Sequence, residues 1–219
     1  MIKISEQEKQ RLIYFLTPRI SNIDSNSLYC EDDEEICEIQ DLVEANQINF
    51  GCTKLVLFYN DFPDLVIKIP FKGVKNYDDY EDEYYYEDFD TDYCALESSN
   101  YSKSFSSGIN DMFAATYFLA NINNIPVYVS EKITCDVILK PSNALKTATT
   151  LINKSDFLVN DSRLNPTTVS VFIKDYGLKK VLKLLKFLEE NNINDLHGGN
   201  VGFNSNNSIC FIDYSGFFE

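Results

Sequence analysis

Apolar residues first recur at helical spacing in Leu12, Ile13, Phe15 and Leu16. Ahead of them, Ser5-Glu6-Gln7-Glu8 fits a capping box, in which Ser5 and Glu8 each satisfy the other's backbone N–H. The pattern predicts an amphipathic helix that Pro18 stops. Ile36, Ile39, Leu42 and Val43 repeat the spacing behind a run of acids suited to a helix N-terminus, which predicts a second helix over 33–45. From Ile48 the period shortens to that of strands. A short strand, Gly51, a strand over 54–59, a turn at Asn60-Asp61-Phe62-Pro63-Asp64 and a strand over 65–71 read as a three-strand meander.

Helical spacing resumes at Asp92 with Tyr93, Leu96, Glu97 and Tyr101 and ends near Gly108. Residues 113–120 and 125–131 then predict a hairpin around Asn121-Ile122-Asn123-Asn124, while 134–174 show only mixed helix and loop. Leu178, Val181, Leu182, Leu184, Leu185 and Leu188 make the strongest helical stripe in the chain. Lys179, Lys180, Lys183 and Lys186 lie opposite and read as its wet side. A loop, a short strand, an Asn/Ser turn and a strand at 209–212 follow.

Composition adds exclusions. The 219 residues carry a net charge of −15, against the clustered Lys and Arg of a nucleic-acid groove. About 70% of the surface of a chain this long can be buried, enough for a sizeable core. No apolar run approaches a membrane span and no leader pattern opens the chain, so a cytoplasmic location is expected. Six cysteines without a C-x-x-C pair read as reduced thiols, mostly in the core. Much of the charge falls in 77–93, where nine carboxylates and six tyrosines stand in seventeen residues. This acidic insert reads as a solvated, self-repelling loop, or as a docking surface for a basic partner.

The candidate chemistry is late in the chain. Asp195, Asn200 and Asp213 have a spacing that phosphoryl transfer can use. A loop after the long helix can hold Asp195 beside an acceptor hydroxyl, and a hairpin between Asn200 and Asp213 can bring two hard oxygens to one Mg²⁺. Gly198 and Gly199 let that loop turn tightly.

Asn194-Asp195-Leu196-His197-Gly198-Gly199-Asn200 resembles the catalytic loop of the protein-kinase-like superfamily in its small-molecule-kinase spelling, and Asp213-Tyr214-Ser215-Gly216 resembles its magnesium-binding segment. Val66-Ile67-Lys68-Ile69 resembles the strand with the phosphate-binding lysine. The resemblance runs in order over about 48–217 and is also similar to short kinase-like chains of bacteriophages. It implies an α+β, bilobal kinase-like fold: a helical extension over 1–46, an N-lobe over 47–133 with the acidic insert 77–90, and a reduced C-lobe over 134–219. It implies ATP and Mg²⁺ as ligands and transfer of the γ-phosphoryl group to a hydroxyl, with a protein among the candidate acceptors. Lys68 would contact the α- and β-phosphates and Glu97 would pair with it. Gly51 stands where a glycine-rich loop covers the phosphates. Ser130-Glu131-Lys132-Ile133 stands at the hinge, where Glu131 and Ile133 would receive adenine through backbone groups. Asp195 would be the base, Asn200 and Asp213 the metal ligands, and His197 a loop-shaping residue.

Several positions depart from that family. Ile193 and Asn194 replace the usual His-Arg or His-Gly, one glycine stands for three near Gly51, and no A-P-E motif follows Asp213. A rival expectation is therefore a kinase-shaped binding module that occludes a host nuclease or defence complex through its acidic surface.

Overall fold

Ser5 caps the first helix as its sequence demands: its hydroxyl accepts the Glu8 N–H at 3.2 Å, and the Glu8 carboxylate accepts the Ser5 N–H at 2.8 Å. Helix α1 (Glu6–Ile20) runs through Pro18 instead of stopping there. Proline costs a helix the bond its own N–H would make to the residue four back, and clashes with that carbonyl. Here only two residues follow it, and the fully buried Leu12, Leu16 and Ile20 hold the last turn against the core. The computed structural model describes residues 4–30, 33–78, 83–135, 138–161 and 163–216. It is a mixed α/β structure that divides into two units, residues 2–95 with 116–131 and residues 96–115 with 132–219.

The first unit contains β1 (Tyr29–Cys30), α2 (Asp33–Leu42), β2 (Gln47–Phe50), β3 (Lys54–Phe58), β4 (Leu65–Pro70), β5 (Gly73–Asp78) and β6 (Glu83–Asp88). After helix α3 (Tyr93–Ser107), within which the division falls, the unit resumes with β7 (Thr116–Ile122) and β8 (Ile125–Glu131). Five strands form an antiparallel sheet in the order β2-β3-β4-β8-β7. Leu55, Leu57, Ile67, Ile69, Val127 and Val129 are buried and share one core with Leu12, Leu16 and Ile20 of α1. The β7–β8 turn is the two-residue pair Asn123-Asn124, both left-handed (φ 51° and 64°), which is the twist a tight hairpin needs and which asparagine tolerates. The expected loop at the acidic insert is in part a strand. Within the described residues β6 pairs with β5 from Gly73↔Asp88 to Asp78↔Glu83, and every residue of β6 is exposed. Three successive tyrosines, Tyr84 to Tyr86, suit a strand, and exposure keeps the carboxylates hydrated.

The second unit continues with α4 (Leu145–Ile152), α5 (Pro166–Tyr176), α6 (Leu178–Glu190), β9 (Val201–Phe203) and β10 (Ile209–Phe211). Asn165 caps α5 by accepting the Thr168 N–H at 2.9 Å, and Pro166 occupies the first turn, where its missing N–H costs nothing. Gly177, at φ 80°, ends α5 and starts α6. Rings fill the space between elements: Phe113 lies 4.8 Å from Tyr214, and Phe172 stacks on Phe211 at 4.8 Å. Buried Val181, Leu184, Leu185 and Leu188 confirm the α6 stripe, whereas Leu178 and Leu182 stay exposed. The lysine face is not uniformly wet either. Lys180 reaches both carboxylate oxygens of Asp111, at 2.5 and 2.6 Å. None of the described cysteines is in a disulfide, but only Cys94 and Cys210 are buried, so the expectation that most lie in the core does not hold. Cys37 lies in a stretch whose side chains are outside the description.

Candidate active site

The loop after α6 is shaped by its apolar residues. Asn192 adopts φ 50° and turns the chain out of the helix, and the Ile193 N–H bonds back to the Leu188 carbonyl at 2.9 Å. Ile193 and Leu196 are both fully buried and pin the chain on either side of Asp195, whose side chain keeps 14% of its surface in contact with solvent. Ile193 thus anchors this end of the loop by burial. His197 Nδ1 accepts the Gly199 N–H at 3.0 Å and caps the short turn Gly198–Asn200. With that lone pair occupied, the imidazole helps to shape the loop around Asp195.

Asn200 is tied to the same loop. Its Nδ2 donates to the Asp195 carbonyl at 2.7 Å, which leaves Oδ1 as an acceptor for something else. The β9–β10 register pairs Val201 with Phe211, and one step further the Ile212 N–H donates to the Asn200 carbonyl at 3.0 Å. The hairpin therefore delivers Asp213 to the neighbourhood of Asn200. Asp213 Oδ1 accepts the Ser215 hydroxyl at 3.1 Å. Behind it, Tyr214 is fully buried, donates to the Ala114 carbonyl at 2.6 Å and receives the Asn100 amide on its own carbonyl at 3.0 Å. Gly216 has φ 79°, and a Cβ there would meet the Asn192 carbonyl at 2.7 Å, so glycine is required on both counts.

The donor set fits magnesium. Asn200 Oδ1 and the Asp213 carboxylate are hard oxygens, and Mg²⁺ is commonly held by one or two protein oxygens together with substrate phosphates. Among the described residues no group of three or more His, Cys, Asp and Glu could hold a metal. A cation at this pair would draw its remaining ligands from a bound phosphate chain and water.

The other predicted residues divide between the units. Lys68, Gly51 and Glu131 belong to the first. Lys68 sits on the central strand β4, opposite Val56 and Tyr128, and is 6% exposed, so it is not a solvent-facing lysine of an edge strand. Burial of a charged amine demands compensation, which separates Lys68 from the ordinary surface lysines of this chain. Gly51 lies in the β2–β3 turn with ordinary φ and with nothing within 4 Å of a notional Cβ, so the fold itself does not demand glycine there. Glu131 ends β8 and is buried. Glu97, Ile133, Asp195, Asn200 and Asp213 belong to the second unit. Glu97 is the one carboxylate of α3 and is fully buried, on the same helix face as Asn100, Tyr101 and Ser104. Ile133 lies beside Gly202, where a Cβ would collide with its side chain.

Two residues were not legible beforehand. Arg163 donates its N–H to the Asn194 carbonyl at 3.1 Å and brings its guanidinium within 3.4 Å of Asp195 Oδ1, with 71% of its side chain exposed. It comes from the unpatterned stretch 134–174, which carried no signal for it. Asn100, which braces Tyr214, lies three residues beyond Glu97, and helical spacing alone could have flagged it.

No family model matches the chain, and no curated protein matches its sequence. Among solved structures, a proinflammatory kinase of Helicobacter pylori, CtkA, matches over 77% of this chain with a TM-score of 0.36 and 20% sequence identity. The chain spans 57% of the length of that kinase.

Proposed function

We propose that the chain has a kinase-like fold and acts as a phosphotransferase that uses ATP and Mg²⁺ to phosphorylate a hydroxyl. The observation that carries this reading is the tie from Asn200 Nδ2 to the Asp195 carbonyl, together with the hairpin register that sets Asp213 beside Asn200. It links a candidate base and a candidate metal pair through one loop and the hairpin that follows it. Asp195 orients the acceptor hydroxyl and takes its proton as the acceptor oxygen attacks the γ-phosphorus and the bond to the β-phosphate oxygen breaks. Magnesium held by Asn200 and Asp213 would offset charge on the phosphates. Lys68 and Glu97 keep the roles the resemblance gives them, phosphate contact and its counter-charge. Gly51, Glu131 and Ile133 keep theirs at the nucleotide.

The test is transfer of label from γ-radiolabelled ATP to the protein itself or to a generic acceptor. Asp195→Ala and Asp213→Ala should each lower transfer by roughly 10²–10⁴-fold, and Lys68→Met should abolish it, with unchanged folding by circular dichroism. Transfer undiminished by Asp213→Ala removes the assignment.

A further inference from the structure

Strand β6 pairs with β5 on one side and, among the described residues, with no other strand. Its outer edge therefore presents alternate backbone N–H and C=O groups over six residues, roughly 20 Å. Open edges of this length invite another strand unless something deters it. The deterrent here is selective by sign. Glu83, Glu87 and Asp88 are exposed on β6, in a chain of net charge −15, so a second copy of this edge meets carboxylate with carboxylate. A strand carrying cations meets no such barrier.

The tyrosines sharpen the choice. Tyr84, Tyr85 and Tyr86 stand in succession and are 61%, 48% and 56% exposed. Alternation puts Tyr84, Tyr86 and Asp88 on one face, and Glu83, Tyr85 and Glu87 on the other. On the first face the Lys75 ammonium already lies over the Tyr84 ring, 4.8 Å from its centroid. On that face too, Tyr86 packs edge-on against Tyr29 at 4.7 Å, and Asp88 accepts the Tyr29 hydroxyl at 2.6 Å. The second face has the same ring and carboxylate chemistry around Tyr85, flanked by Glu83 and Glu87. Aromatic faces and carboxylates together select lysine and arginine over other side chains.

We propose that β6 is a docking edge for an extended, lysine- or arginine-rich segment of another protein, which adds to the sheet as a strand and sets its cations against Glu83, Tyr85 and Glu87. This stands independently of phosphoryl transfer, and its test uses no nucleotide. A fluorescein-labelled decapeptide of alternating Lys and Val is titrated with the full chain at physiological salt and read by anisotropy. Saturable binding is expected, with none for the Glu–Val counterpart. Two further peptides carry the same charge but are N-methylated at alternate residues, one in each register. One of the two should bind about tenfold more weakly, because its methyl groups replace the donors facing β6. Glu83→Gln with Glu87→Gln, and separately Tyr85→Ser, should weaken the parent peptide about tenfold with no change in melting temperature. Equal binding of all three Lys–Val peptides, or unchanged binding by the variants, would mean attraction by overall charge alone and would overturn the proposal.

Discussion

Glu8 shows how one side chain makes a helix end sensitive to pH. Hydrogen bonds from the Ser5 hydroxyl and N–H favour the carboxylate and hold its pKa below the ordinary glutamate value. A group whose folded pKa is depressed contributes its stabilisation above the unfolded value and loses it as the pH falls through the folded one. The first turn of α1 should therefore fray on acidification, seen as a lower protection factor at the Lys9 amide, whose N–H bonds to the Ser5 carbonyl. Glu8→Gln should flatten that pH dependence, and Ser5→Ala should destabilise the helix by about 1 kcal/mol at neutral pH. The thiols supply a second expectation. Cys52 is exposed, whereas desolvation raises the pKa of the partly buried Cys30 and suppresses its reactive thiolate. Alkylation followed by mass spectrometry should mark Cys52 first and Cys30 later, with Cys94 and Cys210 reacting only on unfolding; simultaneous labelling of all of them would contradict the burial described.

Among elements, the β5–β6 hairpin depends on one residue without a side chain. A Cβ at Gly73 would run into the Glu87 carbonyl, with the Asp88 Cα 2.8 Å away. Gly73→Ala should unseat the start of the hairpin and expose Tyr29, measurable as faster exchange at the Phe89 amide, which bonds to the Lys72 carbonyl. The hairpin also shows where sequence reading falls short. A run of acids and tyrosines has no apolar period, so composition suggests a loop, but pairing of β6 with β5 needs only β-compatible side chains and an exposed face. Elements with a strong apolar period were legible almost to the residue: the meander, α3 with Asp92 accepting the Ala95 N–H, and α6. Pro18 misled because its cost depends on how much helix follows it. For the candidate site, the Asp195, Asn200 and Asp213 cluster was legible from spacing. The bracing by Asn100 and Arg163 was not, since each acts through a tertiary contact that local pattern does not encode.

At the scale of the whole molecule, the net charge of −15 bears on the nucleotide reading. Like charges distributed over a folded chain repel, and added salt screens them, so magnesium chloride alone should raise the melting temperature without any specific site. A specific ligand adds a contribution set by occupancy: at a hundredfold excess over Kd it stabilises the folded state by about 2.7 kcal/mol. For a chain of this size that corresponds to roughly 5–10 °C. The informative quantity is therefore the increment from ATP with Mg²⁺ beyond the sum of Mg²⁺ alone and ATP with EDTA. If Asn200 and Asp213 hold the ion, Asp213→Ala should remove that increment while leaving the non-specific response to Mg²⁺ in place. Gly51→Ala should leave the ligand-free melting temperature unchanged, since a Cβ there meets nothing within 4 Å. A purely additive response in the parent chain, at ATP concentrations up to several millimolar, would remove magnesium-dependent nucleotide binding from the account and with it the phosphotransferase reading.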